Sequence, residues 1–245
     1  MSTNVFFTKE NLDRCLVALA KEFRKRNGTA VPAEIVLIGG AAILENYGFR
    51  ESTYDVDAII HASSAMKEAI NLISDKMGLP NGWLNTDFVK TRSYTPKLTE
   101  YSVYYKTFSN VLTVRTVSAE YLIAMKLMAG RKYKHDLSDV VGVLMEHEQT
   151  GKPIGMEQID IAMRNLYGGW DNVPEDSRTF VRNIMQTRNY AALYQQYREE
   201  EQAGRTTLLE FEKDYPCVTN EGNVDAILQA AKERKARQEK DHDGR

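Results

Sequence analysis

The chain has 245 residues, 42% of them hydrophobic and 27% charged, the composition of a globular protein with room for one large domain or two small ones. A chain of this length buries about 70% of the surface its unfolded form exposes, which excludes wholesale disorder. Thirty-two Lys and Arg stand against 34 Asp and Glu, a formal net charge of −2, so the molecule as a whole has no strong pull toward nucleic acid or an acidic membrane.

Two cysteines, Cys15 and Cys217, exclude a disulfide scaffold and a cysteine-rich zinc site, and four histidines are few for a histidine-built one. No stretch approaches the ~18 apolar residues of a membrane span. Met1 to Glu10 lacks the apolar core and small-residue cleavage site of a signal peptide. The expectation is a cytoplasmic protein with reduced thiols and no membrane partner.

Asn11 to Arg26 carries Leu12, Cys15, Leu16, Leu19 and Phe23 at helical spacing and ends at Asn27-Gly28. Ile35 to Ile38 is a short apolar run before Gly39-Gly40, which suits a buried strand that ends in a tight turn. A short helix over Ala41 to Tyr47, a β-rich run over Val56 to Ile60 and a helix over Ser63 to Met77 follow, the last stopped by Gly78 and Pro80. Phe88-Val89 is assigned to a short strand. Tyr101 to Phe108 and Val111 to Val117 read as a hairpin turning at Ser109-Asn110. Helices are expected from Ser118 to about Ala129 and from about His135 to His147. The order is that of a mixed α/β fold.

Thr150 to Pro153 reads as a linker, dividing the chain into 1–149 and a helical region over 150–245. In the second part Met156 to Leu166, Asp176 to Arg198 and Asn223 to Arg237 are predicted helices, and the polar stretch from Lys232 to Arg245 is expected to fray.

The chemistry concentrates in two places. Gly39-Gly40 between a strand and a helix lets backbone approach a ligand closely, and the helix start offers free N–H groups and a positive dipole end, which suits a triphosphate. Asp55 and Asp57, placed on one strand, project from the same face. Two adjacent carboxylates repel unless a cation lies between them, and Mg2+ (or Mn2+) pairs naturally with phosphate oxygens. The alternative for the aspartates is an exposed strand edge.

Gly39-Gly40, fourteen intervening residues and then Asp55-Val56-Asp57, with Arg50 and Thr53 ahead of the aspartates, resemble the signature of the nucleotidyltransferase (DNA polymerase β-like) superfamily. The stretch Leu122 to Arg131, followed by Lys132, Lys134, Asp136 and Asp139, is similar to a helical segment of nucleotidyltransferases related to abortive-infection toxins. The resemblance covers roughly 35–145. It implies an α+β fold with a mixed sheet flanked by helices, ahead of the helical C-terminal region. It also implies metal on Asp55 and Asp57, and NTP phosphates near Gly39, Gly40, Arg50, Thr53, Lys126 and Arg131. Lys126 and Asp136 join the two aspartates as expected catalytic residues, Asp136 by orienting Lys126 or supporting metal. The implied reaction moves an NMP from an NTP to a hydroxyl on RNA (tRNA), protein or a small molecule, in a toxin–antitoxin or phage-defence setting with a cognate antitoxin.

Each residue also has a plainer reading. Lys126 can be a solvated helix face and Asp139 can face solvent. Arg131, Lys132 and Lys134 can be a helix end favoured by the C-terminal dipole. Trp83 is assigned to the core, and Tyr101, Tyr104 and Tyr105 to sheet packing. The sequence departs from the superfamily at the third carboxylate: Tyr101 to Val117 holds no acid. That leaves Asp87, Glu100 or Asp136 for the general base, with a non-catalytic nucleotide-binding or interaction module as the alternative.

Overall fold

The computed structural model describes residues 6–220 and 222–243, with side chains to 234. The expectation for Met1 to Glu10 therefore falls partly outside the described residues. A five-stranded mixed sheet is built from β1 (Ala33–Leu37), β2 (Val56–His61), β3 (Leu84–Asn85), β4 (Ser102–Phe108) and β5 (Leu112–Val117), in the order β3-β2-β1-β5-β4. β1 runs antiparallel to β2 and parallel to β5. β3 lies parallel to β2, pairing Asn85 with Asp57. The β4–β5 hairpin turns at Ser109-Asn110, both with positive φ (51° and 55°), as a two-residue turn matched to strand twist requires.

The first helix, α1 (Lys9–Asn27), is fixed at its start by a capping box between Thr8 and Asn11. Just before it, Phe7 exchanges backbone hydrogen bonds with Thr53 (2.7 and 2.9 Å). That bridge ties the chain's beginning to the loop ahead of Asp55 and Asp57. Next come α2 (Gly39–Asn46), α3 (Ala65–Met77), α4 (Ala119–Ala129) and α5 (Asp136–Gln149). α1 packs on α3, and α2 on β2 and β5. The aliphatic face of α1, the interior of β1 and the middle of α4 are fully buried together in one core.

The remaining helices are α6 (Met156–Tyr167), α7 (Glu175–Thr187), α8 (Tyr190–Asp214) and α9 (Val224–Asp243). They do not stand apart from the sheet. α6 and α7 pack on α4, α8 packs on α5, and the main core runs through Tyr190.

Three expectations need correcting. The strand beside β2 is Leu84-Asn85, whereas Phe88-Val89 lies in a short 3-10 turn over Asp87–Lys90 that buries Phe88. The helix expected over Asp176 to Arg198 is broken where Arg188 adopts φ +50°. The second piece, α8, then runs to Asp214, because its stability comes from packing on α5 and α9 rather than from a regular apolar stripe. Asp55 lies one residue ahead of β2, not within it. The stretch from Lys232 is helical to Asp243, and 244–245 lie outside the described residues. Trp83 is buried, with its indole N–H donating to the Ile70 carbonyl (3.4 Å) and its ring beside Phe7. Tyr101 stacks on Tyr121, while Tyr104 faces solvent.

α5 lies close against the loop ahead of β2 at Gly142. A Cβ there would come within 2.5 Å of the Phe49 ring, which in turn packs on Tyr194 of α8. Alanine is the better helix former by about 1 kcal/mol, but overpacking costs about 1–3 kcal/mol. Gly142→Ala is therefore expected to lower the urea unfolding free energy, and Phe49→Leu in the same chain to recover part of it. A stabilised Gly142→Ala would show that the ring moves aside freely.

Candidate active site

The site begins where β1 ends. Ile38 donates its N–H to the Asp57 carbonyl (3.1 Å), and Gly39 then turns with φ +54° into α2, a conformation that favours glycine. A Cβ on Gly40 would approach Thr53 Oγ1 to 2.6 Å and Arg50 Nη2 to 2.9 Å. The two glycines thus let the Arg50–Asp57 loop lie directly against the first turn of α2. Thr53, buried, donates its hydroxyl to the Asp55 carbonyl (3.2 Å), and Arg50 Nε donates to the Ser52 carbonyl (3.0 Å). Arg50 and Thr53 line the site while spending these polar contacts on shaping the loop.

Asp55 is exposed and Asp57 half-buried. Among the described residues neither has an ion-pair partner. Asp57 is held above the ordinary carboxylate range, first by its burial and then by the Asp55 charge; Lys134, Arg131 and Lys126 oppose this from farther off. The carboxylate pair is therefore incompletely neutralised by the protein itself.

Behind it lies a chain of alternating charges. Arg50 Nη1 meets Asp139 Oδ2 at 2.6 Å, and Lys126 Nζ meets Asp139 Oδ2 at 2.8 Å and Asp136 Oδ1 at 2.9 Å. Arg131 closes the run with Nε 2.8 Å from Asp136 Oδ2 and Nη2 3.2 Å from Oδ1. Lys126, Asp136 and Asp139 are 6%, 0% and 2% exposed. So Lys126 is not on a solvated face, and Asp139 does not face solvent. Burial alone would push both carboxyls up; Lys126 and Arg131 pull Asp136 well below the usual range, and Arg50 and Lys126 pull Asp139 down. Burial would likewise lower Lys126, but Asp136 and Asp139 outweigh it and raise its pKa. Asp136 is thereby a holder of cations and is unsuited to take a proton at neutral pH.

α8 completes the frame. Glu201, 2% exposed, accepts from the N–H groups of Leu137 (2.9 Å) and Ser138 (3.2 Å) and from the Ser138 hydroxyl (2.5 Å). It caps from outside the helix whose first turn carries Asp136 and Asp139. Sequence reading missed Glu201 because nothing local marks it: its partners lie more than sixty residues away.

Two cavities flank the carboxylate pair. The larger, about 410 Å³, runs from Gly39 and Gly40 past Arg50 and Thr53 to Arg205, Leu208, Leu209 and Glu212 on α8. The smaller, about 280 Å³, lies on the β3 side, with Asn85, Asp87, Phe88, Thr91 and Ser93 in its wall. Gly39, Asp55, Asp57, Lys126, Arg131 and Lys134 line both. Asp136 borders the larger cavity and Asp87 the smaller; Glu100 borders neither. Asp87 is exposed and pairs with Lys90 (2.8 Å), while its N–H donates to Asn85 Oδ1 (2.8 Å). The Lys134 pKa is lowered by its burial and then by the Arg131 charge; Lys132 turns away to pair with Asp176. Both cysteines are free, Cys15 buried and Cys217 exposed.

These environments make opposite predictions for two substitutions. Lys126→Met keeps the stem but removes the cation shared by two buried carboxylates, leaving Asp136 with Arg131 and Asp139 with Arg50, which should cost up to about 3–5 kcal/mol at pH 7. Because Asp136 and Asp139 have depressed folded-state pKa values, the stability they contribute is present above the unfolded value near ~4 and is lost as pH falls through the folded values. Wild type should therefore weaken below about pH 4, and the gap to Lys126→Met should narrow there. Asp57→Asn should instead raise the melting temperature in metal-free buffer. Asp57 is raised in the fold, so its charge penalty is present at neutral pH and vanishes below the unfolded value, and the gain should disappear with it. Equal melting curves for Lys126→Met and wild type at pH 7 would remove the buried network from the account, and a clear loss in Asp57→Asn would make that aspartate structural.

Among the described residues no helix is long and apolar enough to cross a membrane. Neither the curated proteins nor the solved structures contain a match to the chain. A family model does match, over residues 14–149, the span that holds the sheet, both aspartate pairs and the cations between them. With more than half its length so matched, the chain belongs to the family described as "Nucleotidyltransferase of unknown function (DUF6036)".

Proposed function

We propose that the protein is a metal-dependent nucleotidyltransferase that moves an NMP from an NTP to a hydroxyl acceptor. The observation that carries this reading is the Asp55–Asp57 couple, without an ion-pair partner among the described residues, which shares its cavity with a glycine turn at a helix start and three cations, Lys126, Arg131 and Lys134. Among the described residues no cluster of three or more His, Cys, Asp or Glu could hold a metal by itself. Two carboxylates whose charge the protein leaves uncompensated fit Mg2+ or Mn2+, which binds through one or two carboxylates and completes its shell with water and substrate phosphates. Bound there, the cation supplies charge neutralisation of the triphosphate in an in-line displacement.

The rest is the work of the chain. The N–H groups that open α2 face a phosphate at Gly39-Gly40. Lys126, with two of its three donors on Asp136 and Asp139, keeps one for a phosphate oxygen. Lys134 and Arg131 offset charge that grows on the leaving pyrophosphate. The acceptor oxygen attacks the α-phosphorus from the smaller cavity, the bond to the bridging oxygen breaks, and pyrophosphate departs. The acceptor's proton passes to Asp87, the acid in that cavity outside the Asp55–Asp57 couple. Cytoplasmic action on RNA or protein, countered by a cognate antitoxin, belongs to the same proposal and is supported by the abortive-infection resemblance alone.

A second reading is a nucleotide-binding module without turnover. The observation in its favour is that the residue paired with Asp57 on β3 is Asn85, not an acid.

The test is incubation with each α-labelled NTP and Mg2+ or Mn2+, with total tRNA and cell-extract protein as acceptors. Label transfer and pyrophosphate release are expected. Asp55→Asn with Asp57→Asn should abolish both, and Asp87→Asn should slow transfer on the order of 10²–10⁴-fold with little change in NTP affinity. NTP binding with no label transfer to any acceptor would favour the module, and Asp87→Asn at wild-type rate would remove Asp87 from the mechanism.

A further inference from the structure

We propose that α8 reads the base of the donor nucleotide, with Tyr54, Arg205 and Leu209 forming a nucleobase subsite at the end of the larger cavity remote from Gly39-Gly40. The proposal rests on the nucleotidyltransferase reading and adds the substrate half which that reading leaves open. Four observations support it.

The cavity has two chemically distinct ends. At the α2 end lie the glycine turn, the carboxylates and the cations. At the α8 end lie Leu208, Leu209 and the Tyr54 ring. Leu209 and Tyr54 are 54% and 44% exposed, an unusual cost for two large apolar groups facing one cavity unless something covers them. A volume of about 410 Å³ lies within the range of small-molecule sites.

The Arg205 guanidinium lies 4.7 Å over the Tyr54 ring. The pair presents planar surfaces, and bases stack on aromatic rings and guanidinium planes alike. Glu212 lines the same end, and its negative charge disfavours a phosphate there while leaving a neutral base unopposed.

Thr219 supplies the third observation. Its Oγ1 is buried with no hydrogen-bond partner among the described residues, and the residue borders this cavity. A buried hydroxyl without a partner costs free energy, and a rotation of the Thr219 side chain toward the cavity would bring it to a base edge, which carries donors and acceptors that would satisfy it.

The fourth is rigidity. One turn before Arg205 on α8, Glu201 is locked onto the start of α5, and Leu208 packs with Val224 and Leu228 of α9. Arg205 and Leu209 are therefore carried on a fixed helix, as discrimination between ligands demands.

The experiment compares two ligands by titration calorimetry with Mg2+: a non-hydrolysable α,β-methylene NTP, and inorganic tripolyphosphate, which has the charge but no base. Wild type should bind the nucleotide more tightly. Arg205→Ala and Leu209→Asp should each weaken nucleotide binding about tenfold and leave tripolyphosphate binding within about twofold. Tyr54→Phe should retain affinity that Tyr54→Ala loses. Matching circular dichroism and melting temperature would establish that the variants are folded. Equal losses for both ligands would place Arg205 on the phosphates and overturn the subsite, as would unchanged nucleotide affinity in all three disruptive variants. If wild type binds neither ligand, the nucleotidyltransferase reading itself falls; if it binds both and the variants match it, the base subsite alone falls.

Discussion

The alternating run Arg50, Asp139, Lys126, Asp136, Arg131 is the interaction on which the rest of the site depends. Its members come from the α2–β2 loop, α4, the loop after α4 and the first turn of α5. A buried ion pair adds little stability against a well-packed apolar alternative, but breaking one from a single side is expensive. Five groups in sequence, three positive and two negative, make each link a condition for the next. The network therefore fixes geometry more than it contributes energy. It holds Lys126 and Arg131 at a set distance from Asp57, and it holds Arg50 against Gly40, which shapes the loop that presents Asp55.

This dependence explains why the helical C-terminal region cannot be treated as an appendage. α5 carries both aspartates of the network in its first turn, where the helix dipole already favours negative charge. Glu201 from α8 adds a third carboxylate to that same helix start. His135 and Arg198 sit beside it, with the imidazole 3.6 Å from Glu201 and 3.0 Å from the guanidinium. The position of α5, and through it of every cation near Asp57, is thus tied to a helix beginning more than fifty residues later.

Much of the fold was legible because its signals are local. The apolar face of α1, the Ile35 to Ile38 run before two glycines and the Ser109-Asn110 hairpin each follow from spacing or turn chemistry. The short β3 was not, since two residues carry no periodicity and Phe88 made the neighbouring run look the better strand. The break at Arg188 was hidden for a related reason: an arginine with positive φ has no sequence signature. At the site, the glycines and Asp55-Val56-Asp57 stood out as a pattern, and the structure brings them together with Lys126, Arg131 and Asp136. What spacing could not show was burial. Asp139 was open to a solvent-facing reading, and a solvated helix face was the alternative for Lys126, because charged side chains usually lie at the surface; only the three-dimensional meeting of five charges makes their burial tolerable.

The two aspartate pairs then separate structure from function on physical grounds. Asp136 and Asp139 are the more deeply buried, yet their pKa values are depressed because three cations touch them. Asp55 and Asp57 are more exposed, yet Asp57 is raised, first by its burial and then by the Asp55 charge, against a weaker pull from Lys134, Arg131 and Lys126. Lys126 and Arg131 pair with Asp136 and Asp139 at 2.8–2.9 Å, while the couple bordering both cavities has no ion-pair partner among the described residues. A fold that neutralises its deepest carboxylates and leaves its more accessible pair short of cations among the described residues has the charge distribution that the proposed divalent cation and triphosphate call for.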